Sequence, residues 1–148
     1  SASIRSDILV IADELCTNAV FNAPFVDLEN TRPGARRDSR DVALPEGSMA
    51  RVFVGGDEKR IVIGCEDPFG TLNLDKLFDR IRSCYLSGVA DSMNMGDQGG
   101  AGIGSFMVFR AAASYYAFVR KREHTMVCCA LPQRMSARAR EILPKNMH

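Results

Sequence analysis

Several things are scarce or missing in these 148 residues. Net charge is one of them: 19 Lys and Arg against 18 Asp and Glu leave +1, so no long-range field draws the chain to nucleic acid or to a membrane surface. No apolar run approaches the ~18–20 residues that cross a bilayer, and no leader-peptide pattern stands at the start. Cys-x-x-Cys spacing is also absent. The five cysteines are an odd number, and Cys128-Cys129 adjoin in a run that reads as a strand. Neighbours in a strand point to opposite faces, so these residues read as small buried hydrophobes in a reducing cytoplasm, not as a disulfide framework. Repeats and low-complexity tracts are missing too.

What is present is an ordinary globular composition, 46% hydrophobic and 25% charged, at a length that can bury one core. Residues 1–148 are expected to form a single domain. The chain opens at Ser1, without a methionine and almost on its first helix, which reads as an excised domain or a tag remnant.

Ile4, Ile8, Ile11, Leu15 and Ala19 recur at three- and four-residue steps, the stripe of an amphipathic helix, and Pro24 is expected to end it. Glu14, Asn18 and Asn22 line a separate face of that helix. Periodicity vanishes over 27–48, where Arg32-Pro-Gly-Ala-Arg-Arg-Asp-Ser-Arg-Asp is charged and turn-rich. Such a long connection is functional or disordered; its mixed charge reads first as a solvated loop and second as a docking arm for an acidic partner or phosphates. Residues 50–66 read as two strands around Gly55-Gly56-Asp57. Asn73 or Thr71 caps a helix carrying Leu74, Leu77, Phe78 and Ile81. Residues 83–100 are small, polar and glycine-bearing, a candidate lid over a ligand. A helix from 102 to about 114 is expected to turn Ile103, Met107 and Ala111 inward. Strands near 115–119 and 125–131 then form a hairpin around Lys121-Arg122-Glu123, with a short basic helix near 136–143. This order gives an α+β fold, a two-layer sandwich of a mixed sheet with helices on one face.

Three motifs carry chemistry. Glu14-Leu-Cys-Thr-Asn18-Ala19 sets a carboxylate and an amide four residues apart on one helical face. Asp67 closes a β-branched run in Glu66-Asp67-Pro-Phe-Gly70 and can fix a polar ligand edge, or act only as a strand-end turn acid. Gly99-Gly-Ala-Gly102-Ile-Gly104 opens a helix, where free N–H groups and the helix dipole favour an anion; glycines there also serve packing alone. Acid plus amide, acid plus glycine, then a glycine-rich helix start describe a nucleotide pocket.

In this order and spacing the motifs resemble those of the GHKL (Bergerat-fold) ATPases, which include histidine-kinase catalytic domains, the gyrase and chaperone ATPases and the anti-sigma-factor serine kinases. Glu14 to Ala19 is similar to the short N box of the anti-sigma kinases, Asp67 to Gly70 falls at the first glycine box, and Gly99 to Gly104 at the second. Thr125 matches a threonine often found in the last strand. The resemblance spans residues 6–131. It implies Mg2+ on Asn18, general-base catalysis by Glu14, adenine recognition by Asp67 with Gly70 and Thr125, and phosphate contact by Gly99, Gly100, Gly102 and Gly104. ATP and Mg2+ are the implied cofactors.

The chain departs from that family in places. The usual Asp-x-Gly-x-Gly is here Asp67-Pro-Phe-Gly70; Pro68 lacks an N–H and Phe69 resists positive φ. Ser105-Phe106 follows the last glycine where leucine is usual. Kinases of this fold often carry a cation three or four residues after the N-box asparagine, where this chain has Phe21 and Asn22. The N-terminal strand and helix usual upstream are nearly absent, which points to truncation or to completion of the sheet by a partner chain. The leading expectation is a cytoplasmic ATP-binding regulatory domain that transfers the γ-phosphoryl to a serine of a regulatory partner, such as an anti-sigma-factor antagonist, alone or as a homodimer. The alternative is a degenerate domain of the same kind that binds protein without nucleotide turnover.

Overall fold

The computed structural model describes residues 2–25, 46–87 and 103–148. Helix α1 (Ala2–Thr17) buries the expected stripe, with Ile4, Ile11 and Leu15 all inside. It does not run unbroken to Pro24. At Asn18 it widens into a π-helical turn (Asn18–Asn22), closed by the Ala23 N–H on the Asn18 carbonyl, and then tightens to a 3-10 turn (Ala23–Phe25). Pro24 has no N–H for the Val20 carbonyl, and in a regular helix its ring would crowd that carbonyl. A wider turn ahead of the proline avoids the clash.

Five strands form one mixed sheet in the order β1 (Arg51–Gly56), β2 (Arg60–Asp67), β4 (His124–Pro132), β3 (Ser114–Arg120), β5 (Asn146–Met147). All neighbours are antiparallel except β3 and β5. The β1–β2 turn lies later than the glycine pair suggests. Gly55 and Gly56 stay in the ladder opposite Val62 and Ile61, and Asp57 makes the turn by accepting the Lys59 and Arg60 N–H groups at 2.7 Å each. Those two bonds hold the exposed Asp57 carboxyl below its ordinary range. Strand β5 has no counterpart in the sequence pattern; two residues carry no readable period.

Helix α2 (Leu74–Ser87) starts where Asn73 Oδ1 accepts the Lys76 N–H at 3.0 Å, so Asn73 and not Thr71 is the cap. The Thr71 hydroxyl instead donates to the Ala23 carbonyl at 2.9 Å. The helix continues through 83–87, correcting the expectation of a loop from Ser83: Cys84 extends the buried series Leu77, Ile81 by one more step. The rest of the expected lid lies outside the described residues, as do 27–45 of the expected long loop. Helix α3 (Ile103–Ala111) is shorter than expected and rotated from the expected face. Met107 is 40% exposed, whereas Phe106 and Val108 are buried, and Ala112 beyond the helix end is buried too. Ser105, Val108 and Ala112 are spaced three and four apart, and theirs is the face that meets the core.

Alternate strand residues Ile63, Cys65, Tyr115, Cys129 and Leu131 share one sheet face and join Ile11 and Leu15 of α1, Leu77 and Ile81 of α2, and Phe106 and Val108 of α3 in one core. Helices packed on a multi-strand sheet are thus the architecture. Helix α4 (Ala137–Glu141), capped by Ser136 Oγ on the Ala139 N–H, is tied to α1 through Arg140. Arg140 is 1% exposed; its Nε donates to Asp7 at 3.0 Å and its other nitrogens reach Asp7 and the Met135 carbonyl. Lys145 Nζ donates to the carbonyls of Arg110, Ala112 and Arg140 at 2.6–2.7 Å, a cation at the C-terminal end of α3.

Candidate functional site

Strand β2 runs Arg-Ile-Val-Ile-Gly-Cys-Glu-Asp, with β-branched residues that favour an extended chain. It delivers Asp67 to the end of the β2–β4 ladder, directly across from Thr125. Both side chains are buried. Pro68 and Phe69 make a turn in which the Phe69 N–H donates to Asp67 Oδ1 at 2.9 Å, so an aspartate bond organises the backbone where the family's pattern has glycines. Burial raises the Asp67 pKa, with the Phe69 and Gly70 N–H groups and, more weakly, the nearby Thr125 hydroxyl pulling the other way. That hydroxyl stands close enough to be felt, yet its oxygen makes no hydrogen bond of ordinary geometry among the described residues.

Asp67 and Thr125 lie at the floor of a cavity of about 290 Å3, near the small end of the ~300–1,000 Å3 typical of ligand pockets. Cys65, Tyr115 and Val127 complete the floor; burial pushes the Cys65 thiol up to about 11 and raises Tyr115 as well. One wall comes from α1 and the π turn, with Leu15, Asn18, Ala19 and Asn22. The facing wall comes from Leu72, just before α2, and from the first turns of α2 with Lys76, Leu77 and Arg80. The bond from Thr71 to Ala23 fastens the two walls together at one end.

Glu14 and Asn18 do share a helical face: Asn18 Nδ2 donates to Glu14 Oε1 at 2.8 Å, and Asn22 Nδ2 donates to Asn18 Oδ1. Only the two asparagines line the cavity. Glu14 sits against the start of α3, so close to Gly104 that a Cβ there would fall 1.8 Å from Glu14 Oε2. Gly104 therefore serves a tight acid–backbone approach. Burial raises the Glu14 pKa, opposed by the Asn18 amide and, less strongly, by the Ser105 hydroxyl.

Gly70 also stands apart from the cavity. Its φ is +60° and its missing Cβ would lie 2.1 Å from the Arg120 carbonyl oxygen, inside the β3–β4 turn. The Arg122 N–H donates to the Gly70 carbonyl at 3.1 Å. Gly99, Gly100 and Gly102 lie outside the described residues. The structure thus brings together Asp67, Thr125, Asn18 and Asn22 around one space, with Glu14 and Gly104 paired just behind it.

Lys76 and Arg80 escape the motif-based reading of the sequence. Their signal is present all the same: they sit four apart, each just before a buried position of the 77–81 stripe. Among the described residues no group of three or more His, Cys, Asp or Glu can hold a metal. An ion such as Mg2+ would find at Asn18 one amide oxygen, which also accepts from the Asn22 amide, and would depend on ligand oxygens and water for the rest, which suits its chemistry. Among the described residues no helix is long and apolar enough to cross a membrane. Compared with protein families, curated proteins and solved structures, the chain matches none.

Proposed function

We propose that this chain is an ATP-binding regulatory domain of the GHKL (Bergerat) kind, similar in style to the anti-sigma-factor serine kinases. The observation that carries the reading is the cavity floor, where a buried acid stands across a ladder rung from a buried hydroxyl that makes no hydrogen bond of ordinary geometry among the described residues. A carboxylate accepts from an exocyclic amine, and a hydroxyl donates to or accepts from a ring edge. Apolar Leu15, Leu72, Leu77 and Val127 around them suit a flat heteroaromatic base. Asn18 is the residue that would carry Mg2+; when bound, the ion offsets phosphate charge. Phosphoryl transfer rests mainly on positioning and charge stabilisation, so one cleft with a base nearby suffices. Glu14, its pKa raised by burial, is the candidate base for a protein serine hydroxyl. A regulatory protein is then the substrate, and a reducing cytoplasm fits five cysteines that are all free.

A second reading, nucleotide binding without turnover by a signalling module, is favoured by one placement: Glu14 leans on Gly104 and does not line the cavity.

Calorimetric titration with ATP and ADP, with and without Mg2+, tests the proposal. Mg2+-dependent ATP binding that is lost in Asn18→Ala is expected. Absence of binding at millimolar ATP overturns it. If ATP binds, incubation with candidate serine-bearing partners separates the two readings: transfer abolished by Glu14→Gln supports the kinase, and binding without transfer supports the module.

A further inference from the structure

We propose that Lys76 and Arg80 are the cations that hold the anionic end of the cavity's ligand, and that this end is a phosphate chain; the proposal rests on the nucleotide reading above. The Asn73 cap fixes where α2 begins, and positions 76 and 80 then fall one above the other on the same side of the helix. Both line the cavity, and among the described residues they are the cations that do. Asp67 is the acid that lines it, from the sheet floor.

The cavity is therefore polarised. It has an acceptor-rich, buried end at Asp67 and Thr125 and a cationic wall on α2. A complementary ligand carries a hydrogen-bond donor on one part and negative charge on another, as nucleoside di- and triphosphates do and nucleosides do not. A neutral ligand would make no use of the charge on the α2 wall. Among the described residues the opposite wall has no cation to offer: Phe21 is apolar, and the Asn22 amide donates to Asn18. Lys76 and Arg80 supply from α2 the charge that the helix after Asn18 lacks. The two are not equivalent. Arg80 offers a planar fork for paired phosphate oxygens, while Lys76 is a movable point charge on an exposed stem.

The test uses the whole chain and three probes, ATP, ADP and adenosine, titrated into the wild type, Lys76→Gln/Arg80→Gln, and the charge-preserving swap Lys76→Arg/Arg80→Lys. The double glutamine variant is expected to weaken ATP and ADP about ten- to a hundredfold for each cation removed while leaving adenosine affinity unchanged. The swap keeps both charges but moves the fork, so it should bind ATP more tightly than the glutamine variant and more weakly than the wild type. Wild-type ATP affinity should fall with salt more steeply than that of the glutamine variant. Unchanged ATP affinity in the glutamine variant overturns the proposal. So does an equal loss for adenosine, which would mean a collapsed wall. Failure of the nucleotide reading itself looks different: the wild type then binds none of the three probes.

Discussion

Thr125→Val separates folding from binding at the cavity floor. Valine keeps the β-branched shape that suits β4 and removes only the hydroxyl. That oxygen is buried and makes no hydrogen bond of ordinary geometry among the described residues, exerting only a weak pull on the Asp67 carboxyl. The substitution should therefore release much of the cost of an unsatisfied polar group, about 1–3 kcal/mol. At roughly 3–4 °C per kcal/mol for a chain of this length, the ligand-free protein should melt several degrees higher. Urea unfolding gives the same quantity independently, with an unchanged slope if only stability has moved. The ligand should respond in the opposite sense. Losing one neutral hydrogen bond, about 0.5–1.5 kcal/mol, weakens ATP by roughly two- to tenfold. A stabilised variant that binds more weakly is the signature of a polar group kept for a ligand. A variant no more stable than the wild type without ligand would refute the reasoning, because the hydroxyl would then already be satisfied.

Other perturbations probe the frame around the site. Gly70→Ala should cost about 2–5 kcal/mol in chemical unfolding, from left-handed backbone strain plus a Cβ forced into the β3–β4 turn. Asp7→Ala should cost about 3–5 kcal/mol by taking the carboxylate away from a buried guanidinium. Arg140→Met should cost less, since Asp7 is 25% exposed and can turn to water. Glu14→Gln tests linkage. The folded pKa of Glu14 lies above its unfolded value, so ionising it costs the folded state more than the unfolded one, and stability falls as pH rises through the carboxylate range. The glutamine variant should accordingly be the more stable protein at pH 7, with its advantage shrinking as the pH is lowered until Glu14 is protonated in both states. A difference that is the same at pH 3 and pH 7 would remove the role assigned to burial.

The helix stripe, the two hairpins and a sheet packed by helices are legible because they rest on periodicity and turn chemistry, which are local; the parallel β5 that makes the sheet mixed is not. The face of α3 is not: Phe106-Met107-Val108-Phe109 is apolar all round, so period alone cannot choose which side is buried. The turn after β1 is easily misplaced because two glycines outweigh one aspartate in the pattern, while Asp57 makes two short bonds in the fold. At the site, Asp67, Asn18 and Thr125 can be named from motif order. The separate role of Gly70 cannot, because its neighbours, the backbone of residues 120–123, lie about 50 residues away along the chain. Lys76 and Arg80 are hidden for a related reason. They look like the solvated edge of an amphipathic helix until the α1 wall is placed across from them.

The π turn at Asn18–Asn22 has a consequence for how this chain tolerates insertions and deletions. A π turn holds one residue more than an α turn, so the segment carries a spare step of about 100° of rotation. Removing one residue between Ala19 and Phe21 would take away the residue that the wide turn absorbs and set the Pro24 ring against the carbonyl four residues before it, so that Asn22 and Ala23 would have to shift to relieve the clash. The carbonyl that receives the Thr71 hydroxyl would leave its partner, and the cavity would lose its fastening. Shortening the chain here would remove the slack that accommodates the proline and leave a worse pocket. Screening one-residue deletions through 18–22 for proteins that melt normally yet no longer bind would locate that trade directly.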